Sequence, residues 1–293
     1  MVRCPSRSAV AGAGRLALPL ASLLLACLAG CGSGSAVKAP EIGAARTFKL
    51  VNFQPAGPVA AGKATTVSFT IGQPSGRALA TFKRGAGPHT GVHLIIVRED
   101  LSLMIHRHPS VASNGAVRES IVLPAPGPYR VIVDVYPKLP GSLPNFQLVA
   151  RLNVAGRYRP VAPAPFRPEQ TVDGVRFTIA HPPSLRAISP ALLSVSVRRA
   201  DGSRADFTPW YGALAHAIFF REGSLDYFHT HVCAPDASNC TSAFGAANVT
   251  GHSSSPGKLT VGVLVPIPGT WRLFLQTKVD GRVLTAPFTL QVH

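Results

Sequence analysis

The sequence predicts an all-β chain: two tandem β-sandwich domains behind an N-terminal export segment. Three observations predict this. Short β-branched and aromatic runs are separated by turns drawn from 27 glycines and 27 prolines, a composition that favours strands and tight turns over helices. One block recurs, with the same residues at the same spacing, in the second half of the chain. A short apolar run near the N-terminus ends in small residues and a cysteine. At 293 residues, 46% hydrophobic and 14% charged, the chain is long enough for two cores and far from the composition of a disordered polymer.

Residues 1–15 carry Arg3, Arg7 and Arg15, and Leu16 to Gly30 reads LALPLASLLLACLAG. That run is shorter than the ~20 apolar residues of a comfortable spanning helix and fits the apolar region of a signal peptide. It closes in Leu28-Ala29-Gly30-Cys31, followed by Gly32-Ser33-Gly34-Ser35, which matches the lipobox of bacterial lipoproteins. The match implies cleavage before Cys31 and acylation of its thiol. Acyl chains contribute about 0.8 kcal/mol per buried CH₂, so the expected location is the extracytoplasmic face of the cell membrane. Residues 1–30 are then the signal peptide and 31–45, rich in Gly, Ser and Ala, a flexible tether.

Cys4 and Cys27 leave with the signal peptide and Cys31 carries lipid, so Cys233 and Cys240 remain. A pair in an oxidising compartment forms a disulfide most simply. Metal ligation by Cys233 is the alternative.

The repeat occupies 46–156 and 169–293. In the first copy His93-Leu-Ile-Ile-Val-Arg98-Glu99 precedes His106-Arg107-His108; in the second His216-Ala-Ile-Phe-Phe-Arg221-Glu222 precedes His229-Thr230-His231. Both copies place the second and third histidines 13 and 15 positions after the first. Pro124-Ala-Pro-Gly127-Pro-Tyr129-Arg130 is echoed by Pro266-Ile-Pro-Gly269-Thr-Trp271-Arg272. The second copy holds an insertion after His231 that contains Cys233, Cys240 and His252. Thr66–Ile71 and Leu193–Val197 alternate as strands do, each followed by a turn, at Gly76-Arg77 and Gly202-Ser203. Between the copies, residues 157–168 hold four prolines and read as a semi-rigid linker. Strand-and-turn units of this size suit antiparallel sandwiches, with an immunoglobulin-like or cupredoxin-like Greek key as the natural candidate.

His93–Arg98 and Leu103–His108 read as two strands joined by a turn at Glu99–Ser102. The register that sets Arg98 against Leu103 sets His93 against His108 and puts His106 on the same face. The copy, turning at Glu222–Leu225, pairs Arg221 with Asp226 and His216 with His231, with His229 beside them. Opposed Cβ atoms lie ~5 Å apart, so each trio of imidazoles could converge. Three neutral imidazoles suit copper or zinc. A fourth position would fall to water, His89 or His252, while His181 and His293 stand outside the pattern. A pair of structural hairpins whose histidines bond backbone and hydroxyl groups would leave the same sequence, so both readings stand here.

The formal charge of +16 invites a nucleic-acid partner, yet the arginines are scattered singly, no basic helix or stacking motif appears, and export removes most such partners. Lipid headgroups and wall polymers are better counterparts than nucleic acid, and a merely solvated basic surface is favoured over either. The expected function is binding rather than turnover: there is no Gly-x-Ser-x-Gly or His-Glu-x-x-His, and among 13 acids no pair that spacing forces together.

The two blocks resemble a family of uncharacterised secreted or lipid-anchored bacterial proteins. Its repeat runs as a Tyr-x-Gly-Ala-x-x-His strand, an Arg-Glu turn, a His-x-His-Pro and a Pro-x-x-Gly-x-Tyr-Arg strand. Tyr211-Gly212-Ala213-Leu214-Ala215-His216 carries the first part here, and His106-Arg107-His108-Pro109 the middle one. The resemblance implies heavy-metal handling, copper above all, with a metal-handling envelope protein as partner. Two departures stand out: Val232 follows His231 where the family has Pro, and copy one has Gly87-Pro88-His89-Thr90-Gly91-Val92 in place of the Tyr lead-in. The alternative is a non-catalytic envelope module that presents its sandwiches to a protein or wall polymer.

Overall fold

The repeat appears in the fold as the same strand order used twice. The computed structural model describes residues 47–83, 91–140, 143–234 and 249–293. The first half runs β1 Lys49–Gln54, β2 Val59–Ala60, β3 Ala64–Gly72, β4 Val92–Arg98, β5 Met104–Arg107, β6 Val117–Val122, β7 Gly127–Val135 and β8 Phe146–Ala155. The second runs β9 Glu169–Val172, β10 Val175–Thr178, β11 Ala191–Arg198, β12 Ala215–Arg221, β13 Tyr227–Cys233, β14 Gly251–Ser255, β15 Lys258–Val263, β16 Gly269–Val279 and β17 Arg282–Val292. The described residues are thus all-β.

In the first half a three-stranded sheet, β1-β3-β6, faces a five-stranded one, β2-β8-β7-β4-β5. Inward residues of both meet in one core that includes Val67, Phe69, Ile121, Leu94, Ile96, Val131 and Leu152. The second half repeats this with β10-β11-β15 against β17-β16-β12-β13, but there all strands belong to one nine-stranded sheet. The difference is β14, which lies in the inserted stretch. It pairs in parallel with β13 and antiparallel with β15, stitching the two layers together. Its core gathers Phe177, Val195, Phe219, Val261, Trp271 and Phe288.

The echoed Pro-x-Pro-Gly-x-Tyr/Trp-Arg stretch is a structural signature. Tyr129 Oη donates to the carbonyl four residues back, Ala125, at 2.8 Å, and Trp271 Nε1 donates to Ile267 at 3.0 Å. Each bond lets a large ring sit fully buried with its one polar group satisfied. Gly127 and Gly269 enter these strands at φ of +124° and +128°, where a side chain would be strained. The repeated arginine serves the same bend. Arg98 Nε donates to Pro126 O and Arg221 Nε to Pro268 O. Arg98 also ties down the linker through Arg159 O and the Tyr158 ring, with Asp100 at 2.9 Å.

The hairpin register is the one expected. Leu94 faces Arg107 and Ile95 faces His106; Arg98 N bonds Leu103 O at 2.9 Å. His216 faces His231 and Ile218 faces His229, with Arg221 N on Asp226 O at 2.9 Å.

Strands β4 and β12 are buried on both faces. Leu94 and Ile96 point into the first core, Ala217 and Phe219 into the second. The opposite faces meet each other: Ile95, Val97, Leu101, Met104 and Ile132 pack with Ile218, Phe220, Leu225 and Phe274 in a third apolar cluster. The two halves therefore abut through their hairpin faces. His93 and His216 lie on these same faces, one residue pair along.

Candidate metal centre

Because the two hairpin faces abut, the two expected trios form one cluster of six imidazoles. His106, His216 and His229 are fully buried, His93 and His231 are 7% and 9% exposed, and His108 is half-buried. Within the first hairpin His93 and His108 stack at 3.9 Å, as the ladder requires when continued by one pair. Across the halves His106 lies 4.8 Å from His216 and 5.3 Å from His229, centroid to centroid, and His93 lies 5.3 Å from His229.

Hydrogen bonds assign several ring nitrogens. Gln276 Nε2 donates to Thr285 Oγ1, which leaves its Oε1 to accept from His106 Nδ1 at 3.1 Å. His106 Nε2 then carries a lone pair, 3.0 Å from His108 Nε2. His216 Nε2 donates to the Trp210 carbonyl at 3.0 Å, so its Nδ1 presents a lone pair 3.3 Å from His229 Nε2. Two nitrogens bound to one tetrahedral ion at 2.0–2.1 Å would be ~3.3 Å apart. The two spacings, each an imidazole–imidazole hydrogen bond here, are close to that value.

Two nitrogens are left over. His93 Nδ1 and His229 Nδ1 are buried and find no hydrogen-bond partner among the described residues. An unsatisfied buried polar group costs about 1–3 kcal/mol. Asp134 lies on the side of His229 Nδ1, so His93 Nδ1 is the one that marks a place where something else would complete the site. Three groups of histidines have ligand atoms mutually within 4.8 Å: His93-His106-His108, His93-His229-His231 and His106-His216-His229. Two of the three draw on both halves.

The surroundings suit neutral imidazole. Burial, and then the neighbouring imidazoles, push His93, His106 and His229 well below the usual histidine value. Asp134, opposite His93 on β7, is fully buried and held by Gln147 Nε2 at 2.9 Å, Tyr136 Oη at 3.2 Å and Tyr227 Oη at 3.3 Å. Burial raises it to about 6. Its carboxylate lies 3.8 Å from His229 Nδ1, beyond hydrogen-bond length. It is close enough that a small shift would let it accept from that nitrogen and orient the ring as carboxylates orient metal-bound histidines. Gln276 is the duplicate of Asp134, opposite His216 on β16. Each reaches the middle histidine of the other half, Asp134 toward His229 and Gln276 toward His106, as a pseudo-two-fold relation demands.

An aromatic lid completes the site. Tyr211 stacks on His108 at 3.9 Å and 5°, and Trp210 packs edge-on against His106 and His216. Tyr211 has a φ of +49°, a conformation bulky residues rarely adopt. The Tyr-Gly-Ala lead-in thus earns its place by covering the cluster.

The other residues singled out in the sequence lie elsewhere. His252 is exposed on β14 and His181 and His293 are exposed, so none joins the cluster; His252 is not the fourth ligand considered above. Cys233 ends β13. His89, Cys240 and Cys31 lie outside the described residues. Asp134, Gln276, Tyr136, Tyr227 and Trp210 were missed by sequence reasoning. The signal that could have found Asp134 and Gln276 is their shared place, five and five residues after Tyr129 and Trp271 in the echoed strand.

A family model described as a domain of unknown function, DUF8832, matches residues 170–293. No curated protein matches the chain. Among solved structures it is similar to invasin, a bacterial integrin-binding protein (14% identity, TM-score 0.25, 84% of this chain and 38% of that one). It is similar too to a tetra-tandem repeat in the extending region of a large adhesion protein (8%, 0.27, 84% and 49%). Fibronectin(III)-like modules of CbhA from Clostridium thermocellum give 10%, 0.21, 84% and 93%. The chain spans less than half the length of the first two.

Proposed function

We propose that this is a cell-envelope lipoprotein, anchored through acylated Cys31, that binds a transition metal, copper or zinc, for sequestration or delivery. Its exported part is two tandem immunoglobulin-like or cupredoxin-like domains joined at the histidine cluster, with Cys233 and Cys240 bridged. It binds and does not turn over substrate, and a metal-handling envelope protein is its partner. One observation carries the reading: six imidazoles gather in one site, and three groups of three among them hold their ligand atoms mutually within 4.8 Å. Imidazole donors select copper and zinc over harder ions. A module that only displayed its sandwich surfaces would gain nothing by burying six histidines in this way.

The test is calorimetric titration of the full chain in detergent with Cu(II) and with Zn(II). The reading expects saturable binding that holds near pH ~6.5 and weakens only as pH falls well below it, because burial delays proton competition for His93, His106 and His229. Single His106→Ala and His229→Ala variants should bind more weakly. A chain that binds neither ion, or binds them unchanged with all six histidines replaced by glutamine, refutes it.

A further inference from the structure

The duplicated sequence suggests two sites, one per hairpin. The geometry points to something else: we infer that the chain holds one ion, shared between its halves, and that this ion clasps the halves together. The inference rests on the metal-binding reading and adds its stoichiometry, its ligands and a structural consequence.

The argument is combinatorial. Of the three histidine groups whose ligand atoms converge, each pair shares a member: His93, His106 or His229. Among the described residues, no two ions can therefore each take three histidines of their own. The second hairpin's own trio, His216, His229 and His231, is not one of the converging groups. Its histidines reach ligand distance only by combining with the first half's, His216 and His229 with His106, or His229 and His231 with His93. The hydrogen bonds already cross in the same sense, since Gln276 of the second half fixes the tautomer of His106 in the first. His93 Nδ1 and His229 Nδ1, the two buried nitrogens of the cluster without a hydrogen bond, also come from opposite halves.

An ion in one mixed group would tie β4 to β13, and in the other β5 to β12 and β13, beside the apolar cluster that joins the two halves. Metal loading then stabilises the docked arrangement by mass action, because the separated halves do not present the mixed ligand sets.

The shared site makes an asymmetric prediction that two separate sites cannot make. His93→Gln with His106→Gln removes a member from all three groups, although the second hairpin keeps all its histidines. His216→Gln with His231→Gln breaks only the mixed groups and spares His93-His106-His108. Native mass spectrometry of the full chain released from detergent, with zinc alone as probe, counts ions per chain. Titration gives their affinities, and far-ultraviolet circular dichroism verifies that each variant is folded. Expected are one ion per wild-type chain, at least a hundredfold weaker binding in the first double variant, and in the second one ion held more weakly than in the wild type, because both mixed groups are gone. A folded second variant of undiminished affinity would place the ion within the first half and overturn the sharing. Two ions on the wild type, needing no variant to be folded, overturn the inference while leaving metal binding intact. So does a folded first double variant that keeps one ion at wild-type affinity. No ion on the wild type overturns both.

Discussion

Acid should loosen the metal-free chain by an amount that can be worked from the cluster. His93, His106 and His229 are neutral in the fold because burial holds them well below 6.5. When unfolded they titrate near 6.5, so the unfolded chain binds more protons below that pH. Their contribution to stability is complete above 6.5 and drains as pH falls beneath it. At about pH 5 each costs up to ~2 kcal/mol, ~6 kcal/mol for the three. Asp134 works the other way. Its value rises from 3.8 to about 6 in the fold, so the folded chain takes up this proton first, returning roughly 1 kcal/mol by about pH 5. The net loss is up to ~5 kcal/mol, comparable with the whole stability of a modest domain. Chelator-treated protein unfolded in urea at about pH 7.5 and about pH 5, followed by tryptophan fluorescence from Trp210 beside the cluster, measures it. Equal or greater stability at about pH 5 would refute the claim that these imidazoles are buried and neutral.

Other expectations follow from the same contacts. Asp134→Asn removes the carboxylate beside His229 and should weaken zinc binding 10–100-fold with an unchanged circular dichroism spectrum, measured by titration. Phe220→Ala empties a fully buried ring position between the halves and should cost about 3–5 kcal/mol in urea unfolding. Tyr129→Phe deletes only the bond to Ala125 and should cost about 1 kcal/mol, with metal affinity unaffected, since Tyr129 lies in the first core away from the histidines.

Much of this architecture was legible in the sequence. Arg98-Glu99 and Arg221-Glu222 fixed where each hairpin turns, and period-two alternation then placed three histidines on one face of each. The meeting of those faces was harder to read. Its signal was present: HLIIVR and HAIFFR are unbroken apolar runs, and a strand without alternation is buried on both sides. Leu94 and Ile96 account for one side of β4, so Ile95 and Val97 needed a second partner, and sequence periodicity does not say which surface supplies it. Asp134 and Gln276 were invisible for another reason. Their roles come from crossing to the opposite half, a relation set by docking and not by local spacing. The insertion was seen as extra length, but its function as the strand that fuses two sheets through β14 depends on pairing with both β13 and β15.

X-ray absorption at the zinc or copper edge of the loaded full chain tests the central claim most directly. The account predicts a first shell of three or more imidazole nitrogens at ~2.0–2.1 Å, with the outer-shell scattering that imidazole rings produce. A shell made mainly of oxygen, or one built on sulfur at ~2.3 Å, would contradict it.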